Sequence, residues 1–172
     1  MKKAILAVLV AGSMMSAVAA HAADGTVHFN GNIVSDACTI DASGQNLTVN
    51  MGDVATAAFS AVGDKASPSK FSINVTDCPD TVKQVSVKFD GTGDSDNTDL
   101  LKLDSDQTAK GVAIEIASDA GTAIPLHSAS PAYTVADDGS ATLDFVGRYV
   151  STAATVEAGT ANATSQFTIN YQ

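Results

Sequence analysis

Tryptophan is absent from this 172-residue chain, and cysteine occurs only twice, at Cys38 and Cys78. Histidine is almost as scarce, with three in all. Neither His28 nor His127 has a second imidazole, thiolate or carboxylate at metal-ligand spacing, so no zinc or copper centre is expected. Basic residues are few, 9 Lys and Arg against 19 Asp and Glu. Binding a phosphate backbone requires clustered Lys and Arg, which excludes nucleic acid as a partner. The excess of negative charge instead describes a well-solvated surface. No run of apolar residues is long enough to cross a bilayer, so no membrane insertion is expected. No apolar spacing of helical period persists over three turns, and only the alanine-rich stretch 54–62 has the makings of a helical turn. Enzymatic motifs are missing too. There is no G-x-S-x-G elbow, and the acidic run 94–99 lacks the glycine and the glutamate that a calcium loop needs at its sixth and twelfth positions. No catalytic, cofactor-binding or metal-binding residue is therefore expected.

What is present begins with an export signal. Lys2 and Lys3 precede an apolar core at 4–11, and Ala20-His21-Ala22 fits the small-x-small cleavage pattern. Cleavage after Ala22 leaves residues 23–172, enough for one domain, with 7 basic residues against 19 acidic, a net charge of −12. In an exported chain Cys38 and Cys78 read as one disulfide, the alternative being two unpaired buried thiols. The bridge would close a loop of roughly 40 residues and contribute roughly 4 kcal/mol by chain entropy.

Strand signals then recur, separated by turn residues. Apolar residues alternate with polar ones at 27–33, 47–51, 71–75, 85–89, 101–103, 112–116, 122–124, 143–149 and 167–171. Asp90-Gly91 and Asp138-Gly139 are turn dipeptides, the second opening a hairpin into 143–149. Residues 91–99 read as an exposed loop, and Pro125 stops the strand before it. This pattern predicts an all-β sandwich.

The two ends carry the functional signal. Phe167, Ile169 and Tyr171 alternate with Thr168, Asn170 and Gln172 in an apolar strand that needs a neighbour. A strand in the middle of a complete sandwich would satisfy that need equally well. At the other end Val27, Phe29, Gly31 and Ile33 alternate directly behind the cleavage site. By alternation alone this segment fits an ordinary first strand. Its link to Cys38, however, spans only roughly 13–14 Å at full extension, little for folding back onto its own domain.

Gly25-Thr26-Val27-His28-Phe29 behind the signal, Ala37-Cys38-Thr39-Ile40, Gly147-Arg148-Tyr149-Val150, Gly159 and the ending Phe167-Thr168-Ile169-Asn170-Tyr171-Gln172 together resemble a chaperone–usher pilin. More narrowly, they resemble the major structural subunit of type 1 fimbriae. The resemblance implies an incomplete immunoglobulin-like β-sandwich completed by a donor strand from another subunit. It implies a signal peptide at 1–22, a donor-strand extension at 23–36 and a pilin domain at 37–172. Carried over by position, Val27, Phe29, Gly31 and Ile33 form the donor strand, and Gly159, Phe167, Ile169 and Tyr171 belong to the acceptor groove and chaperone contact. The implied partners are a periplasmic pilus chaperone, an outer-membrane usher and neighbouring copies in a homopolymer. The implied destination is the cell surface, by way of the periplasm. Minor or adaptor subunits share this architecture, and a secreted monomeric immunoglobulin-like module is the alternative from another class.

Overall fold

The computed structural model describes residues 27–29, 31 and 37–172. The chain divides into two units, Met1–Ile33 and Val34–Gln172. The signal sequence, Ile33 and most of the extension expected at 23–36 lie outside the described residues. In the second unit the strands in chain order are β1 (Thr39–Ile40), β2 (Lys65–Thr76), β3 (Gln84–Asp90), β4 (Val112–Ser118), β5 (Tyr133–Thr134), β6 (Ala141–Ser151) and β7 (Gln166–Tyr171). One helical turn, Ala42–Gln45, follows β1, and a 3-10 turn, Thr56–Ala58, falls inside the alanine-rich stretch.

Two sheets form. β1, β2, β6 and β4 make one, in that order, and β5, β3 and β7 make the other. Every neighbouring pair is antiparallel. The registers explain the core. Phe71 pairs with Phe145, Ile73 with Leu143 and Val75 with Ala141, so the apolar residues of β2 and β6 share one face. Val87 and Ile169, and Phe89 and Phe167, are paired in the same way between β3 and β7. The two apolar faces meet at Phe145, which is fully buried. Its ring centroid lies 5.5 Å from Phe71, 5.1 Å from Phe89 and 5.7 Å from Tyr133, with edge-on geometry to the last two, as ring quadrupoles prefer. On the other face of the first sheet, the buried Glu115 carboxylate receives Lys65 Nζ at 2.8 Å and pairs with Arg148, joining β2, β6 and β4.

Several expectations are corrected. β2 starts at Lys65, well before the 71–75 pattern, because a bulge between Ala66 and Ser69 accommodates Pro68. Proline lacks a ladder donor, and bulges are among the few strand positions that tolerate it. Segment 47–51 belongs to no strand. Side-chain hydroxyls fix it instead: Ser67 donates to the Met51 carbonyl and Ser69 to that of Asn50, at 2.5 and 2.9 Å. Expected strands at 101–103 and 122–124 reduce to isolated bridges, Leu101 to Ile114 and Ala117 to Ala123. The Asp138-Gly139 turn is real, with Gly139 at φ +77 and its N–H bonded to the Ala136 carbonyl at 2.9 Å, a backbone conformation that suits glycine. It does not close a hairpin, because β5 before it and β6 after it belong to different sheets. The 91–99 loop is exposed at Thr92 and over 95–99 as expected, while Gly93 bridges to Leu101 and Asp94 is buried, accepting the Asp96 N–H at 3.0 Å.

Cys38 and Cys78 are bonded, with Cα atoms 4.2 Å apart and a sequence separation of 40. The bridge sits directly beside the Thr39–Thr76 pair and so fastens the two-residue β1 to the end of β2. Reduction, or Cys78→Ser, is expected to destabilise the domain by about 4 kcal/mol. Melting curves with and without reductant check this; coincident curves would refute it.

Candidate functional site

β7 lies at the edge of its sheet, paired on one side only, with β3. Gln84 and Gln172 exchange backbone hydrogen bonds at 2.9 and 2.8 Å. Antiparallel alternation then directs the backbone groups of 170, 168 and 166 toward β3, and those of Tyr171, Ile169 and Phe167 toward the free edge. Among the described residues no strand follows on that edge.

An open groove of about 1140 Å³ runs along this seam between the sheets. A liquid water occupies about 30 Å³, so the space is far too large for a packing flaw. One wall is residues 161–167, the approach to β7 and its first two positions. The facing wall is Ile40 and residues 45–52, with Leu47 exposed at the rim. The floor is core: Phe71, Phe89, Leu101, Ile114, Ile116 and Tyr149, with Gly147 among them. Gly147 presents no side chain to the groove, and a Cβ there would make ordinary contact with Met51 Sδ at 3.6 Å. Tyr149 Oη donates to the Ala161 carbonyl at 2.9 Å and ties floor to wall. Burial pushes the Tyr149 phenol up from its ordinary pKa, and does the same for Tyr171, so both stay neutral donors at physiological pH. At the end of β3, Asp90 holds the neighbouring loop through His127 Nδ1, at 2.8 Å. That hydrogen bond, with a second from Lys88, keeps the Asp90 carboxyl below its usual range.

The residues expected at the site fall in three places. Phe167 lines the groove. Ile169 is buried in the core cluster and Tyr171 is half-buried against it, two and four residues further along β7, and neither is part of the groove lining. Gly159 borders a smaller hollow of about 390 Å³ that shares Gly52, Tyr149, Ala161 and Asn162 with the groove and so prolongs it. A Cβ on Gly159 would collide with Thr108 and Ala109, so glycine is needed for that close approach. Of the expected donor residues, Val27 and Phe29 are 74% and 93% exposed, and Gly31 is exposed too. Sequence reasoning missed the wall at 161–166 and the facing wall at 45–52. The first is Thr- and Ala-rich and does not alternate. The second alternates through Leu47, Val49 and Met51, a signal that was there but read as an ordinary strand.

The sequence matches the family described as Fimbrial protein over residues 27–172. The chain belongs to the fimbrial protein family. It is 37% identical to a probable major fimbrial subunit, LpfA, of Escherichia coli, over 100% of this chain and 98% of that one. It is similar in structure to a type I fimbria protein and antigen of Burkholderia pseudomallei, with a TM-score of 0.62, 38% identity, and 78% of this chain and 88% of that one covered. The P pilus rod subunit PapA shares the fold at 21% identity and a TM-score of 0.65, over 78% of this chain and 99% of that one. The fimbrial protein described above is thus a structural subunit of a surface fibre, and its sheets form the incomplete immunoglobulin-like sandwich of pilins.

Proposed function

We propose that this fimbrial protein builds the shaft of its fibre by donor-strand exchange, with residues 27–33 of one copy filling the groove of the next. The observation that carries this reading is the groove itself: a strand-sized opening over core residues, flanked by the unpaired edge of β7. Added strands gain affinity from main-chain bonds and specificity from alternate side chains. Val27, Phe29 and Ile33 supply the alternate apolar side chains, and Gly31 passes where the groove is shallow. Burying each of the three contributes about 1.5–3 kcal/mol of transfer free energy.

Before assembly an open core face aggregates, so the subunit requires a strand on loan. A periplasmic chaperone supplies it, and an outer-membrane usher exchanges it for the neighbour's extension, in keeping with a signal peptide at 1–22 and passage through the periplasm to the surface. The test is a gel of unheated surface fractions. Ladders of subunit multiples that disappear on deletion of residues 25–34 are expected. Free monomer from the intact chain would sink the reading.

A further inference from the structure

The groove wall upstream of β7 poses a problem of support, and the inference drawn from it rests on the donor-strand reading above. β3 ends at Asp90, opposite Gln166, so it cannot pair with residues 160–164. An extended segment with neither edge paired would not hold a defined line. Loop 104–110 takes over where β3 stops. The Asp104 N–H donates to the Asn162 carbonyl at 2.9 Å, and the Ala109 and Thr108 N–H groups donate to the Thr160 carbonyl at 3.0 and 3.2 Å. Side chains complete the pairing. Thr108 Oγ1 accepts the Thr160 N–H at 3.0 Å, and Gln107 Oε1 accepts the Asn162 N–H at 3.0 Å. Asp104 Oδ1 accepts the Thr164 N–H at 3.2 Å, and its Oδ2 accepts the Thr164 hydroxyl at 3.0 Å.

The loop therefore satisfies 160, 162 and 164, the same parity that β3 satisfies at 166, 168 and 170. Alternation turns the backbone of 161, 163 and 165 to the opposite edge, toward the groove. The Ala161 carbonyl is already taken by Tyr149 Oη, so the edge open to an incoming strand continues through Phe167 back to Ala163, past the start of β7. Gly159 fits the same design, since its missing Cβ lets Thr108 and Ala109 come close enough to pair.

We propose that Asp104, Gln107 and Thr108 are positioning residues that latch 160–164 into line with β7, so that the acceptor edge spans 163–171 and the grip on a donor strand depends on the latch. This assigns a binding role to an exposed polar loop that touches no apolar donor side chain. It also explains why the wall needs no hydrophobic pattern: polar side chains hold it from outside.

The test uses the chain 23–172, refolded at low concentration with an excess of a fluorescent peptide of residues 23–36, whose release is then followed against unlabelled peptide. In Asp104→Ala with Thr108→Val, release is expected to be about tenfold faster, in proportion to the hydrogen bonds lost. Amide exchange should rise at 160–164, while protection in β2 and β6 stays as in the parent chain. Asp104→Asn with Thr108→Ser keeps one oxygen for the Thr164 N–H and a hydroxyl for the Thr160 N–H, with the amide NH2 able to donate to the Thr164 hydroxyl, and should restore the slow release. Unchanged release in the Ala/Val variant would overturn the latch, as would a loss of protection spread evenly over β2 and β6. Failure of the parent chain to take up the peptide would overturn the donor-strand reading itself, and the latch with it.

Discussion

A chain beginning at Ala37 is expected to melt at least about 10 °C below the same chain carrying residues 25–34 after Gln172 on a short Gly/Ser linker. The truncated chain leaves Phe71, Phe89, Ile114, Ile116 and Phe167 lining an open groove. The extended chain supplies a strand to cover them. Three apolar side chains buried at about 1.5–3 kcal/mol each give an upper estimate of about 5–9 kcal/mol, and one kcal/mol moves the midpoint of a domain this size by about 2–4 °C. Geometry favours the tether. Gln172 is pinned to Gln84 by two backbone hydrogen bonds, so a tight turn after it returns the chain antiparallel along the free edge of β7. Ten residues of strand then reach about 33 Å, enough to pass Tyr171 and Ile169 and enter the groove beside Phe167. The tether also raises the local concentration of the strand to about the mM range. Calorimetry of both proteins decides it. Equal melting temperatures, with equally sharp transitions, would mean that the sandwich is already complete.

Gly31→Leu is expected to stop fibre growth almost completely while leaving the subunit folded. Gly31 lies outside the Val34–Gln172 unit, and a Cβ at that position meets nothing within 4 Å. The added side chain therefore costs the isolated chain little. In a neighbour's groove it would have to fit between two walls that the bulge side chains and the 104–110 loop hold in place. Overpacking a closed site costs about 1–3 kcal/mol, and the loss recurs at every joint of a polymer. Electron microscopy of cells expressing the variant, beside immunoblots of periplasmic subunit, separates assembly from folding. Fibres of normal length and number would refute the donor assignment of residues 27–33.

Much of the fold was legible in the sequence because period-2 alternation and two-residue turns are local signals. They placed the centres of β3, β4, β6 and β7. The same locality set the limits. β2 outran its apolar pattern because a bulge absorbed Pro68, and whether 47–51 paired depended on serines nearly twenty positions away. Alternation also marked 167–171 as a strand, with Phe167, Ile169 and Tyr171 sharing one face.

Which of those three meets the groove was not a local question. The opening lies where the two sheets part, and only their packing put Phe167 in its lining, buried Ile169 in the core and left Tyr171 half-buried against it. The wall at 161–166 was invisible for the same reason. Its line is set by Asp104, Gln107 and Thr108, more than fifty residues earlier in the chain. By itself the sequence determined an all-β chain with one disulfide and an apolar strand over 167–171, since cysteine count and alternation are written residue by residue. Only the tertiary structure decided which edge is left without a described neighbour, because an unpaired edge is a property of the strands that lie on either side of it.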